Sequence, residues 1–194
     1  DATTGEVIYE RDAKVAAPIA SITKLMTALV VLDAQQPRDE VITITADDKW
    51  KGKGAFSRLP VGAKLKRGDL LKLALMASEN RAARTLGRNY PGGMPAFVRT
   101  MNLKAKALGM TQTRFDDPSG LSSKNVSSAP DLVKLMNAAS REVVIREYST
   151  LLTHEVRVGK SVLGYRNTNL LIGRDDWEIM VQKTGYTSDA GECL

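Results

Sequence analysis

The apolar positions of this chain fall into blocks with different periods. Ile22, Leu25, Met26, Leu29 and Val30 recur at helical spacing and predict a helix over residues 21–32, with Pro18 as a start signal just before it. A denser block, residues 70–77, predicts a second helix opened by Gly68 and Asp69. Three polar residues, Ser78, Glu79 and Asn80, break that block before helical character resumes over residues 81–86. Further helices are expected over residues 95–108, closed by Gly109, from Pro130 onward, and over residues 143–148. Alternating or β-branched stretches predict strands at residues 7–9, 41–45, 156–158, 170–172 and 177–181. Residues 51–68 read as an irregular connection, and Asp116 to Gly120 as a turn leading into a serine-rich loop. Helices in the middle of the chain with strands at both ends predict an α+β fold.

Composition narrows the chemistry. The chain has 194 residues, 43% hydrophobic and 26% charged, enough for one large domain or two small lobes. No apolar run approaches the roughly 18 residues of a membrane span, so no transmembrane segment is expected. The one cysteine, Cys193, excludes an internal disulfide and a cysteine-built metal site. The one histidine, His154, is too few for a typical zinc protease, and no metal or cofactor is expected. A net charge of +6 is compatible with an anionic partner. The cations are scattered and carry few interleaved aromatic residues, so no nucleic acid is expected. His154, Cys193, Trp50, Tyr148 and Trp177 read as structural or packing residues.

Three motifs stand in order: Ser21-Ile22-Thr23-Lys24, Ser78-Glu79-Asn80 and Lys183-Thr184-Gly185. In the first, a serine at the start of a helix has a lysine one turn on, on the same face. Such a lysine acts as a base only if burial or a nearby cation lowers its pKa. A second S-x-N triplet, Ser123-Lys124-Asn125, lies in a polar loop where such residues are ordinary. Ser78-Glu79-Asn80 interrupts an apolar helix, where buried polar groups need partners, and is the stronger candidate. Ser78 is a candidate proton relay, and Asn80 a candidate partner for Lys24 and for a substrate carbonyl. Lys183 and Thr184, at the end of the expected strand 177–181, would meet a substrate carboxylate. Gly185 would let a peptide backbone approach, and the Tyr186 N–H would join that of Ser21 as an oxyanion donor.

These motifs resemble those of the low-molecular-mass penicillin-binding proteins, the serine D-alanyl-D-alanine peptidases. The likeness extends to the segment from Pro18 to Ala28, to Asp117-Pro118-Ser119-Gly120-Leu121, and to Lys183-Thr184-Gly185-Tyr186-Thr187 followed by Ala190-Gly191. Tyr90-Pro91-Gly92-Gly93, the stretch Lys104 to Met110, and Arg166-Asn167-Thr168-Asn169 are similar to the endopeptidase subgroup. The resemblance implies a penicillin-binding/β-lactamase-like transpeptidase fold, an antiparallel sheet lobe (1–20 and about 150–194) against a helical lobe (about 21–150), forming a single catalytic domain over residues 1–194. It implies cleavage of cross-links in peptidoglycan stem peptides through an acyl-enzyme on Ser21, acylation by β-lactams, and a periplasmic location with the signal peptide outside this sequence. The family continues beyond Gly191-Glu192-Cys193-Leu194, so the C-terminal strands and helix are expected to be missing here, with activity affected. Glu142 and Glu147 lack the loop pattern of a β-lactamase deacylation base, which favours slow release of a bound β-lactam over turnover. A β-lactamase on the same scaffold and an inactive muropeptide-binding module are the competing readings. Arg166 to Asn169 either line the cleft or form a polar hairpin turn.

Overall fold

The computed structural model describes residues 4–52, 56–176 and 178–193. The helices are α1 (Thr23–Asp33), α2 (Arg67–Met76), α3 (Asn80–Arg88), α4 (Gly93–Ala107), α5 (Ala129–Arg141) and α6 (Val143–Ser149). The strands are β1 (Ala17–Pro18), β2 (Val41–Thr43), β3 (Lys64–Lys66), β4 (Val126–Ser127), β5 (Thr153–Val158), β6 (Ser161–Arg166), β7 (Gly185–Thr187) and β8 (Gly191–Cys193). The α+β class is as expected, and every helix falls within a few residues of its predicted place.

Helix α1 is the axle of the molecule. Residues Thr23 to Val31 are all buried, and α2, α3, α4, α5 and α6 each pack against it. A helix buried on every side belongs at the centre of a core rather than on its surface, and the polar Thr23, Lys24 and Thr27 within it must then find partners. Leu25, Met26, Ala28 and Val30 have no exposed surface, and they share one core cluster with Leu70, Leu73, Leu86, Phe97, Leu135 and Ile145 from the surrounding helices. Lys24 therefore rides on the buried central helix, and Ser21 on the short turn that leads into it.

The strands form four two-stranded antiparallel pairs: β1 with β4, β2 with β3, β5 with β6, and β7 with β8. Several strand expectations are corrected. Residues 7–9 form no strand: Val7, Ile8 and Tyr9 are all strongly exposed, with no pairing strand among the described residues. A lone extended segment has nowhere to place its backbone hydrogen bonds. Residues 170–172 form a turn, because the Asn169 side chain accepts from the Leu171 N–H and its carbonyl from the Ile172 N–H. Trp177 lies outside the described residues, and residues 178–181 are irregular. The strand instead begins at Gly185, so the Lys183 motif leads into β7 rather than ending a strand.

Strand β6 was not expected. It pairs in register with β5, from Thr153↔Arg166 to Val158↔Ser161, around a turn of Gly159 and Lys160. Strand β3, inside the segment expected to be irregular, pairs with β2. Among the described residues no helix is long and apolar enough to cross a membrane.

Candidate functional site

Ser21 sits in a short 3-10 turn, Ala20–Ile22, that runs straight into α1. Ala20 has φ +44°, in the left-handed region that side chains other than glycine rarely adopt. Such strain persists only where surroundings enforce it, and it occurs often at functional sites. Two glycines press on this turn. A Cβ on Gly120 would fall 1.9 Å from the Ala20 carbonyl oxygen, and Gly120 itself has φ +83°. A Cβ on Gly185 would lie 3.0 Å from the Ser21 nitrogen. Only a residue without a side chain lets β7 come this close to the serine amide.

Lys24 has no exposed surface. Its Nζ donates to Ser21 Oγ at 2.7 Å, Asn80 Oδ1 at 2.8 Å and the Ser119 carbonyl at 2.6 Å. Burial pushes its pKa down to about 7, against the opposing pull of Asp117 and Glu79. The geometry then sorts its protons. A charged ammonium has three N–H donors, one for each acceptor. The neutral amine has two, matching Asn80 Oδ1 and the Ser119 carbonyl, neither of which can donate back. Its lone pair is left facing Ser21 Oγ, the only one of the three partners with a proton to give.

The turn that supplies the Ser119 carbonyl is held by one buried carboxylate. Asp117 Oδ2 accepts from the Ser119 N–H at 3.0 Å and from the Ser119 hydroxyl. Its Oδ1 accepts from the Gly120 N–H at 3.0 Å, the Ser122 N–H at 3.4 Å and Asn125 Nδ2 at 2.8 Å. Asn125 is fully buried, accepts from the Asp116 and Asp117 N–H groups, and donates to Thr23 Oγ1 at 3.2 Å. Thr27 Oγ1 donates to the Pro118 carbonyl at 2.7 Å, tying the turn to α1 a second time. Asn125 of the second S-x-N triplet is thus a structural hub, and Asn80 of the first is the residue that reaches the lysine.

Between α2 and α3, Ser78 has φ +55° and turns the chain so that Asn80 enters α3 facing Lys24. Glu79, not Ser78, caps α3, accepting from the Ala82 N–H at 2.7 Å. Its other oxygen accepts from the Ser57 hydroxyl. Burial raises the Glu79 pKa, with those two hydrogen bonds opposing. The Ser78 hydroxyl makes no hydrogen bond among the described residues, and it faces the cleft described next.

A cleft of about 930 Å³ opens over Ser21. Ser21, Ser78 and Asn80 line one side, and Thr184, Gly185 and Tyr186 the other. Thr168, Leu170, Glu192 and Cys193 complete the wall. Seven of the eight expected site residues are therefore brought together, since Lys24 lies beneath Ser21. Lys183 is not at the surface: it is 1% exposed, and its Nζ donates to the Thr184 carbonyl at 2.7 Å. Burial, and secondarily Lys24, hold its pKa well below the ordinary lysine range. Thr184 is in the cleft, its hydroxyl 2.6 Å from that of Thr168. Thr168 is the member of the 166–169 run that lines the cleft. Asn167 serves as a clamp, donating to the Ser149 and Leu151 carbonyls and accepting from Gln182. Gln182 also donates to the Ser149 carbonyl at 2.6 Å, which fixes the Lys183 segment against the end of α6 without strand pairing. Glu142 and Glu147 are exposed and do not line the cleft.

The sequence reading missed the Asp117–Gly120 turn as a partner of the lysine. Its Asp-Pro-Ser-Gly composition and its likeness to the family mark a turn there but not what the turn's carbonyls face.

A family profile described as D-alanyl-D-alanine carboxypeptidase matches residues 1–194. A D-alanyl-D-alanine endopeptidase of Pseudomonas aeruginosa is 50% identical over 196 residues, and one of Escherichia coli is 48% identical over 198. Both alignments cover all of this chain and 63% of the relative, so the chain spans less than two thirds of the length of these proteins. Among solved structures, a D-alanyl-D-alanine carboxypeptidase from Mycobacterium tuberculosis matches with TM-score 0.87 and 30% identity, covering 99% of this chain and 72% of that one. The Streptomyces K15 DD-transpeptidase matches with TM-score 0.88 and 27% identity, covering 98% of this chain and 79% of that one.

Proposed function

The chain belongs to the D-alanyl-D-alanine carboxypeptidase family, and from that premise we propose that it carries the Ser/Lys centre of a serine peptidase acting on peptidoglycan stem peptides. The observation that carries this reading is Lys24, buried and bound at once to Ser21, Asn80 and Ser119. In this reading residues 1–194 form a single catalytic domain, and the whole protein works outside the cytoplasm, in the periplasm.

Ser21 Oγ attacks the carbonyl carbon of a D-alanyl residue while its proton passes to neutral Lys24 Nζ. The negative charge moves to the carbonyl oxygen, which the N–H groups of Ser21 and Tyr186 receive. The C–N bond then breaks, and the proton held by Lys24 goes to the leaving amine, with Ser78 as relay. An ester on Ser21 remains. Water hydrolyses it, Lys24 taking and returning the proton. Asn80 holds the substrate backbone, and Thr184 with Thr168 meets the carboxylate of the leaving residue. Lys183 supports that wall from behind. β-Lactams acylate Ser21 by the same attack, their ring amide standing in for the scissile bond. The Pseudomonas and Escherichia relatives are named endopeptidases, which supports cross-link cleavage as the preferred reaction.

The proton assignment sets the pH dependence. Only neutral Lys24 accepts a proton, so the cleavage rate rises with pH through about 7 and levels above it. Below that point the rate falls about tenfold per unit. The test is cleavage of a cross-linked muropeptide dimer from pH 5.5 to 8.5, beside release of terminal D-alanine from a pentapeptide. The dimer is expected to be cut faster. A rate that is flat or falls as pH rises through 7 contradicts Lys24 as the base.

A further inference from the structure

A second, smaller hollow adjoins the cleft. Its volume is about 220 Å³, room for one short side arm, and it is lined by Phe56, Ser57, Arg58, Ser78, Tyr165 and Arg166, among others. Ser78 borders both spaces, so a group seated there would belong to a molecule already lying over Ser21. The site proposed above makes no use of Arg58, Tyr165 or Arg166.

Arg58 is held in place before anything binds. Its Nη2 donates to the Gly164 carbonyl at 2.8 Å, and its guanidinium lies 4.5 Å from the centre of the Tyr165 ring. Tyr165 is itself buried in the β5–β6 hairpin. This leaves most of the Arg58 donors open to solvent on a side chain that is already positioned. Arg166 lines the same hollow, and neither arginine has an ion-pair partner among the described residues. The carboxylate at the back, Glu79, is occupied by Ser57 and the Ala82 N–H, and its burial disfavours the charged form. A positively charged hollow with a preset guanidinium is suited to a planar anion, and its size limits that anion to the end of a side arm.

We propose that Arg58, with Arg166, forms a specificity subsite for a carboxylate at the end of a substrate side arm, next to the Ser21 cleft. This rests on the peptidase reading above and deepens it: the enzyme reads a free carboxylate on the peptide it cleaves, as well as the D-alanyl bond. A substrate whose arm ends in an amide loses the charge-assisted contact.

The test compares two synthetic peptides ending in D-alanyl-D-alanine. They differ only in whether the side arm of the preceding residue ends in a carboxylate or in its amide. The readout is the ratio of kcat/KM for the two on one protein preparation, which is independent of the fraction of active enzyme. The native protein should favour the carboxylate by about tenfold or more. Arg58→Ala should bring the ratio to about one, and Arg58→Lys should give an intermediate value, since lysine keeps the charge without the fork. A native ratio near one, or a ratio unchanged in Arg58→Ala, overturns the subsite. Acylation of native Ser21 by benzylpenicillin is measured in parallel. If it occurs while the ratio fails, only the subsite falls; if it does not, the peptidase reading falls and the subsite with it.

Discussion

Replacing Lys24 by methionine is expected to slow acylation of Ser21 by benzylpenicillin about a thousandfold. Methionine fills much the same volume and leaves α1 packed, because Leu25, Met26, Leu29 and Val30 carry the core contacts of that helix. It removes the one group placed to take the Ser21 proton. Arginine at the same position should be as inactive, since a guanidinium stays protonated at any working pH. Stopped-flow acylation, with the thermal midpoint as a check on folding, separates loss of chemistry from loss of structure. A methionine variant that acylates within tenfold of the native rate would mean that another group activates Ser21.

The largest expected loss of stability follows from Asp117→Ala, about 3–5 kcal/mol by denaturant unfolding. The carboxylate is 5% exposed and accepts five hydrogen bonds from the turn it holds. Alanine leaves those donors buried without an acceptor, and each orphaned donor costs about 1–3 kcal/mol, less than additively. The loss reaches the chemistry as well, because the turn presents the Ser119 carbonyl to Lys24 and sets Gly120 against Ala20. Asp117→Asn keeps one oxygen and should cost roughly half as much. It also removes a negative charge that raises the Lys24 pKa, so the midpoint of its pH–rate curve should move below that of the native protein. A midpoint that stays put, or an alanine variant as stable as the native protein, contradicts this account of the turn.

The two S-x-N triplets illustrate what the sequence made legible. Ser78-Glu79-Asn80 stood out because it broke an apolar helix, and the structure turns that break into the bend that aims Asn80 at Lys24. Ser123-Lys124-Asn125 stood in a polar loop, and Asn125 became the buried hub of that loop. Helices were legible because their periodicity is local. Helix α1 was legible as a helix from its spacing, but its place at the centre of the core was not.

Strands were less legible because a strand is defined by its partner. Residues 7–9 and 178–181 have strand-like composition and find no partner among the described residues. Strand β6, interrupted by Gly164, pairs along its whole length because β5 is adjacent. The third acceptor of Lys24 is a backbone carbonyl, and a carbonyl leaves no mark on the choice of side chain. The burial of Lys183 was equally hidden, since it depends on Gln182 and Asn167 holding the segment against α6. Side chains that interrupt a local pattern could be picked out from the sequence; groups that act through their position could not.

The most direct test of the Ser21–Lys24 centre is intact-mass spectrometry of the chain after incubation with benzylpenicillin, followed by peptide mapping. The account predicts a stable adduct of one penicilloyl group on Ser21, absent in Ser21→Ala. A folded chain that forms no adduct, or forms one on another residue, would contradict it.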